Sequence, residues 1–253
     1  MNQNRIKPVR WAYRFAASII QRLSIYMVYT VCALYARFAL RVTVEGLEQI
    51  PASGAVLLVA RHYHHLFDGC VLIGRVPRRI RILVALDGAR SRRSRSFLEW
   101  LCSSLGWPVL LRDDRLRDNR AEYRGNTSAY TLNECKRYLR HAVTGAVRLL
   151  RNKEGLLIFP EAYPTIDAAS VSRREDDSFL PFRSGVARIV EMAERDGRTR
   201  VVIVPVGLCY AHHRRWQVTL RFGSPLRRED FSSTQALVQA LEEWVQKLSV
   251  PAL

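Results

Sequence analysis

Residues 55–69, with the sequence AVLLVARHYHHLFDG, contain the step that decides the fold class. Ala55–Ala60 is an uninterrupted apolar run, which is typical of a strand buried within a parallel sheet. A histidine-rich turn follows, and the apolar stretch at 70–73 then indicates a helix. This order of strand, turn and helix is typical of α/β folds, which bind ligands at the carboxyl ends of their strands.

The chain on either side repeats this alternation. Apolar runs predict buried strands at 80–86, 156–159 and 201–206, and alternating residues predict a half-exposed strand at 216–222. Helices are predicted between them, and one of these begins with Thr131 and Glu134 as a capping-box pair. We therefore expect an α/β domain over residues 42–253, with a mainly parallel central sheet flanked by helices. The arginine-rich segment 88–96 is predicted to be a surface loop.

Residues 1–41 are predicted to form a separate, amphipathic and membrane-associating helix. The uncharged run at 23–36, LSIYMVYTVCALYA, is shorter than the ~20 residues that a membrane-spanning helix needs. Arginines flank this run and aromatic side chains accompany it, which is typical of helices that lie in a bilayer interface. An ordinary core helix is the alternative. The residues concerned are Trp11, Tyr13, Arg14, Arg22, Tyr26, Tyr29, Tyr35, Arg37 and Arg41.

The net charge of +17, from 40 lysines and arginines against 23 acidic residues, indicates an anionic partner. A nucleic acid, an anionic membrane surface and phosphorylated substrates all fit, and a merely basic surface is the alternative. No nucleic-acid motif accompanies the charge, and no aromatic residues are interleaved with segment 90–95, so no nucleic-acid partner is expected. The five cysteines include no CxxC pair, which argues against disulfides or zinc and favours a reducing, cytoplasmic location.

The turn after the first buried strand carries the strongest chemical signal. A histidine there can act as a general base near neutral pH, and Asp68 can hold its imidazole in the required tautomer. No serine elbow is present, so the simplest chemistry is direct activation of a substrate hydroxyl. His62 and His64 are both candidates, because five residues separate His62 from Asp68 and three separate His64 from it. A metal site or a structural role is the alternative for these histidines.

Three later segments add polar groups or turns after predicted strands. Pro160 and Glu161 follow the apolar run at 156–159, which places a carboxylate where it suits hydrogen bonds to substrate hydroxyls. Arg112 ends the segment GWPVLLR at 106–112, and the arginine fork suits phosphate oxygens. The segment VPVG at 204–207 ends another strand and is mostly structural by itself. Each of these signals is weak alone.

In this order, the four segments resemble the motifs of the glycerophospholipid acyltransferases, the 1-acylglycerol-3-phosphate O-acyltransferase family. That family shows Asn-His-x-Ser-x-x-Asp after a strand, then Gly-x-x-Pro-x-x-Arg, then Phe-Pro-Glu-Gly, and then a Val-Pro-Val strand. Shorter matches accompany them at 46–51, at 181–185 and at 222–225, and the second of these makes Arg183 and Gly185 candidates for substrate binding. The resemblance covers roughly residues 42–226, and the combination is more specific than any one segment.

The resemblance implies an O-acyltransferase that needs no cofactor or metal. The histidine would deprotonate the acceptor hydroxyl, which would then attack an acyl thioester of CoA or acyl carrier protein. Asp68 would orient the histidine, Arg112 would hold the acceptor phosphate, and Pro160 with Glu161 would bind the glycerol part. The acceptor would be a lysophospholipid such as 1-acylglycerol-3-phosphate. A peripheral or monotopic enzyme would meet it at the cytoplasmic face of the cell membrane.

Two departures from the family motifs matter. The family has four residues between the histidine and the aspartate, so we favour His62 with one inserted residue, and His64 is the rival. If neither reached Asp68, the chain would be a catalytically inactive, membrane-binding relative. Ala162 stands where the family has the glycine of Phe-Pro-Glu-Gly, and alanine is costly there if the position needs a positive φ. This departure leaves open an acyltransferase for a different hydroxylated lipid.

Overall fold

The computed structural model describes residues 7–117, 128–165, 179–212 and 214–250, and the side chains of residues 7–18 and 212 lie outside this description. The helices are α1 (Lys7–Phe38), α2 (Phe67–Arg75), α3 (Arg92–Leu105), α4 (Asp113–Arg117), α5 (Cys135–Arg151), α6 (Gly185–Glu194) and α7 (Thr234–Ser249). The strands are β1 (Leu40–Glu45), β2 (Ala55–Ala60), β3 (Ile80–Ile82), β4 (Val84–Ala85), β5 (Val109–Leu110), β6 (Gly155–Ile158), β7 (Val201–His212) and β8 (Trp216–Phe222).

Six strands form the central sheet in the order β1–β8–β7–β2–β6–β3. Neighbouring strands in it are parallel except β7 and β8, which are antiparallel. β4 and β5 form a separate parallel pair. The predicted α/β fold with a mainly parallel sheet is therefore confirmed.

The strand β2 lies in the middle of the molecule, with helices packed on both of its faces. Val56, Leu58 and Ala60 belong to a core shared with α1 and α2, whereas Leu57 and Val59 belong to a core shared with α5, α6 and α7. Since β2 and β6 run parallel and in register, their carboxyl ends meet at one edge of the sheet. The turns that follow these two strands therefore lie next to each other.

The prediction of a surface loop at 88–96 is wrong beyond residue 91, because the chain is helical from there. The helix α3 begins at Arg92, and the hydroxyl of Ser91 caps it by accepting the backbone N–H of Ser94 at 3.1 Å. Arg95 holds α3 to its neighbours, because it pairs with Glu99 within the helix and with Glu134 before α5. Arginine is also a good helix former, so an arginine-rich composition does not by itself distinguish a surface loop from a helix.

The predicted capping pair before α5 is confirmed. The carboxylate of Glu134 accepts the backbone N–H of Thr131 at 3.0 Å and its hydroxyl at 3.1 Å. These bonds satisfy groups that a helix start would otherwise leave without partners. The same carboxylate also receives Arg95, so this turn fixes α3 and α5 to each other.

The N-terminal helix α1 is longer than the predicted uncharged run, and the part of it at 19–38 exposes most of its apolar side chains. Its window Ile19–Phe38 is long and apolar enough to cross a membrane by length and composition, and only 17 % of that window is buried. A narrow stripe with Ser24, Cys32 and Ala36 faces the protein. The exposed apolar side chains are Ile19, Ile20, Leu23, Tyr26, Met27, Val31, Leu34 and Phe38. An ordinary core helix would bury such residues.

The aromatic residues predicted to lie in an interface have different surroundings. Tyr26 is exposed, but the hydroxyl of Tyr29 donates to the backbone carbonyl of Ile80 at 2.9 Å and Tyr35 contacts the ring of Phe67. The helix packs closely on α2, because a Cβ at Gly74 would lie 3.2 Å from the Cα of Ala33. The side chains of Trp11, Tyr13 and Arg14 lie outside the described residues.

Candidate active site

The structure brings His62 and Asp68 together and does not pair the ring of His64 with Asp68. The Nδ1 atom of His62 lies 2.9 Å from Oδ2 of Asp68, and that carboxylate is fully buried. Since a carboxylate accepts hydrogen bonds, Nδ1 of His62 donates to Asp68, and Nε2 is the ring atom that accepts a proton. A proton acceptor is therefore left on the side of the ring away from Asp68.

The inserted residue is accommodated because the turn wraps around the Asp68 carboxylate. Oδ2 also accepts the backbone N–H groups of Tyr63 at 2.7 Å and of His64 at 2.9 Å. Oδ1 accepts the hydroxyl of Tyr210 at 2.5 Å. No sequence pattern indicated Tyr210, which is 142 residues from Asp68 and lies in the strand β7.

The second histidine, His64, has a structural position at the start of α2. Its Nδ1 accepts the backbone N–H groups of Leu66 at 3.2 Å and Phe67 at 3.3 Å, in the manner of a helix cap. Its ring stacks on that of Phe67 at a centroid distance of 3.7 Å. Burial lowers the pKa of His64, which favours the neutral ring that such a cap needs.

Glu161 holds the histidine from the neighbouring turn. It is 3 % exposed, and its Oε2 accepts the backbone N–H of His62 at 3.1 Å. Burial raises the pKa of Glu161 to about 7, so this carboxyl is uncharged for part of the neutral range. Glu161 is not among the residues that line the adjoining cavity. Its contact is thus with the turn that carries His62, while the carbonyl of Pro160 accepts the N–H of Arg183 at 3.1 Å.

Ala162 adopts the left-handed conformation that its place in the motif suggested. Its φ is +64°, a region in which L-residues other than glycine are uncommon. Its carbonyl oxygen accepts Nη1 of Arg112 at 2.5 Å, which fixes the turn after β6 to the segment after β5. The surroundings therefore hold an alanine where glycine would be unstrained.

Arg112 is buried in an ion pair with Asp87. Its Nη2 lies 2.8 Å from Oδ2 of Asp87, and its Nε donates to both carboxylate oxygens of that residue. The guanidinium also lies over the ring of Tyr163 at 4.3 Å. Arg115 is a second cation here, which the sequence did not single out, with its Nε 3.5 Å from Asp87. One buried carboxylate thus gathers two arginines.

Arg183 lies beside this group, because its guanidinium is 5.8 Å from the ring of Tyr163, over which Arg112 also lies. Nη2 of Arg183 pairs with Oδ2 of Asp114 at 2.7 Å, and its side chain is half exposed. Gly185 is the first residue of α6 and is exposed. Neither residue lines the cavity beside His62.

A cavity of about 490 Å³ adjoins the His62–Asp68 pair, and it is within the usual size range of ligand sites. Its polar lining includes His62, Arg112 and Arg115. The rest is largely apolar and comes from α1, α2, the segments around β3 to β5 and the end of β6. It includes Val28, Cys32, Gly69, Cys70, Ile73, Ile82, Val84, Trp107, Leu110, Ile158 and Phe159. A histidine and two arginines thus share one cavity with a large apolar wall.

No group of three or more potential metal ligands occurs among the described residues. The pairing of His62 with Asp68 suits removal of a proton from a hydroxyl group. The arginines suit an anionic group on the same substrate, and the apolar lining suits a hydrocarbon chain.

A protein-family model described as Acyltransferase matches residues 41–209. Among solved structures, the chain is similar to the 1-acyl-sn-glycerophosphate acyltransferase from Thermotoga maritima, with 16 % sequence identity and a TM-score of 0.49. That match covers 96 % of this chain and 82 % of the other. No curated protein matches the chain significantly.

Proposed function

This chain belongs to the acyltransferase family, and from that premise we propose that it moves a fatty acyl group from a thioester to the hydroxyl of a lysophospholipid such as 1-acylglycerol-3-phosphate. The observation that carries the proposal is the 2.9 Å contact between His62 and Asp68 at the wall of a largely apolar cavity. The same contact argues against a catalytically inactive relative, since that hypothesis rested on the unusual spacing of the two residues.

In the proposed reaction, Nε2 of His62 removes the proton of the acceptor hydroxyl as its oxygen attacks the thioester carbonyl carbon. The buried carboxylate of Asp68 stabilises the imidazolium that forms. When the carbon–sulfur bond breaks, the imidazolium returns its proton to the leaving thiolate. The products are the acylated lipid and a free thiol, no acyl-enzyme is needed, and no cofactor takes part.

We assign the acceptor phosphate to the end of the cavity that Arg112 and Arg115 line. Arg112 is held rigidly by Asp87, and Arg115 lies beside the same carboxylate. The two guanidinium groups line the same cavity and offer N–H donors that suit the oxygens of a phosphate. The apolar lining takes the acyl chain, delivered by acyl-CoA or acyl carrier protein.

We also propose that the enzyme works at the cytoplasmic face of an anionic membrane, as a peripheral or monotopic protein. The exposed apolar side chains of α1 support this, and two of the residues that line the cavity, Val28 and Cys32, belong to the same helix. The helix α3 adds exposed Phe97 and Trp100 near the exposed Arg92. Lipid substrates would then reach the cavity without crossing water.

The test is transfer of a labelled acyl group to 1-acylglycerol-3-phosphate in mixed micelles, with acyl-CoA and acyl carrier protein donors. We expect His62→Ala and Asp68→Asn to lose roughly 10²–10⁴-fold in rate, the usual contribution of a general base. His64→Ala should keep most of the activity and lose about 1 kcal/mol of stability, because its ring caps α2.

Each other outcome has a distinct meaning. Activity that survives His62→Ala but not His64→Ala would move the base to His64. Absence of transfer by the native chain, with both donors and a panel of lysolipids, would overturn the proposed function. Transfer only to another lipid acceptor would keep the reaction and change its substrate.

A further inference from the structure

We propose that Tyr210 is a positioning residue of the His62–Asp68 pair, and that its hydroxyl fixes the carboxylate and sets how readily His62 accepts a proton. This inference rests on the function proposed above. It assigns Tyr210 no contact with substrate, because Tyr210 is not among the residues that line the cavity.

The two oxygens of the Asp68 carboxylate have different partners. Oδ2 accepts Nδ1–H of His62 and the backbone N–H groups of Tyr63 and His64. Among the described residues, the donor to Oδ1 is the hydroxyl of Tyr210, at 2.5 Å. That length is typical of a hydroxyl that donates to an ionised carboxylate. Tyr210 therefore fixes the plane of the carboxylate from the side opposite His62.

Tyr210 is itself held rigidly, as a positioning group must be. It lies in β7, between β2 and β8 in the sheet. Its ring stacks on that of Tyr63 at a centroid distance of 4.5 Å and meets Trp216 edge-on at 6.0 Å. Burial, with Asp68 beside it, raises the pKa of Tyr210 well above its ordinary value. The phenol thus stays protonated and remains a donor throughout the working pH range.

The effect of this hydrogen bond on His62 has a definite sign. A donor on Oδ1 withdraws negative charge from the carboxylate and weakens its attraction for the imidazolium. Without the donor, the more basic carboxylate would stabilise protonated His62, and a higher pH would be needed to obtain the neutral base. Charged or titratable neighbours could also affect this equilibrium, and those that face the pair are Arg61, Tyr63, His64, Cys70 and Glu161.

The experiment compares Tyr210→Phe with the native enzyme in pH profiles of kcat and kcat/KM. We expect kcat at neutral pH to fall about tenfold, as for loss of a hydrogen bond to a charged group. The acid limb of kcat/KM should move up by roughly half a unit or more, and KM for both substrates should change little. The matched control is Tyr29→Phe, which removes a hydroxyl bonded to Ile80 outside the site. It should leave the acid limb in place.

The outcomes separate this inference from the proposed function. A uniform loss at every pH in Tyr210→Phe, with the limb unmoved, would show a structural role and overturn the inference. So would full activity with an unchanged profile. If the native chain transfers no acyl group, the proposed function fails. If His62→Ala is as active as the native chain, the reaction stands, but His62 is not its base and the inference about Tyr210 is overturned.

Discussion

Ala162 is an alanine in a backbone conformation that favours glycine. The turn after β6 holds it at φ +64°, where an L-residue costs about 1–2 kcal/mol. Ala162→Gly would remove that cost and would add about 0.5–1 kcal/mol of unfolded-state entropy. We therefore expect a small net stabilisation, measured as a higher urea midpoint with an unchanged slope.

The control for this prediction is the same exchange in a regular helix. Ala240 lies inside α7, and Ala240→Gly should destabilise the protein by about 1 kcal/mol. Opposite signs for the two exchanges would establish that conformation, and not the lost methyl group, decides the effect. Equal destabilisation at both positions would contradict the strain argument at Ala162.

For individual residues, the sequence predicted which side chains carry chemistry better than it predicted which residues contact each other. His62 and Asp68 were predictable because they are separated by one short turn. The pairing of Arg112 with Asp87 spans 25 positions, and the bond from Tyr210 spans 142, so both depend on how strands are ordered in the sheet. Glu161 was predicted as a substrate ligand, and its burial against the N–H of His62 follows from the register of β2 and β6.

Among the elements, buried strands were the most predictable, whereas the first turn of α3 was wrongly predicted to be a loop. An apolar run such as Ala55–Ala60 has few alternatives in a large domain. The start of α3 combines serines and arginines, which composition alone associates with loops. What stabilises it is local capping by Ser91 together with the ion pair from Arg95 to Glu134, whose partner is 39 residues away.

The exposed aromatic pair of α3 gives a prediction about membrane docking. Phe97 is 58 % and Trp100 48 % exposed, their ring centroids are 6.1 Å apart, and α3 packs against α1. Removing an aromatic side chain that enters a bilayer loses about 1.5–3 kcal/mol. We expect Phe97→Ser and Trp100→Ser each to weaken vesicle binding at least tenfold, measured by sedimentation with anionic vesicles.

A matched control exists on the other side of the molecule. Trp244 is 37 % exposed on α7, which packs on the sheet face opposite α1. Trp244→Ser should bind vesicles like the native protein. If all three variants bound equally well, α3 would have no part in docking, whereas an equal loss in all three would indicate a general effect on folding.

For the whole molecule, charge and apolar surface make separable contributions to membrane binding. The net charge is +17, and the exposed Arg90, Arg92 and Arg93 have no ion-pair partner among the described residues. Each such residue near an anionic bilayer gains about 1 kcal/mol. Salt screens this attraction, since the Debye length falls from about 10 Å at 0.1 M to about 3 Å at 1 M.

We therefore expect binding to anionic vesicles to weaken steeply as salt is raised, and then to level off at the value measured with neutral vesicles. The remaining part comes from the apolar side chains of α1, because burial of apolar surface does not weaken with simple salt. Loss of all binding at high salt would mean that α1 does not enter the bilayer. Vesicle binding that did not depend on salt or on lipid charge would mean that the basic surface serves the anionic substrates instead. Competition by duplex DNA for vesicle binding at low salt would support the nucleic-acid alternative.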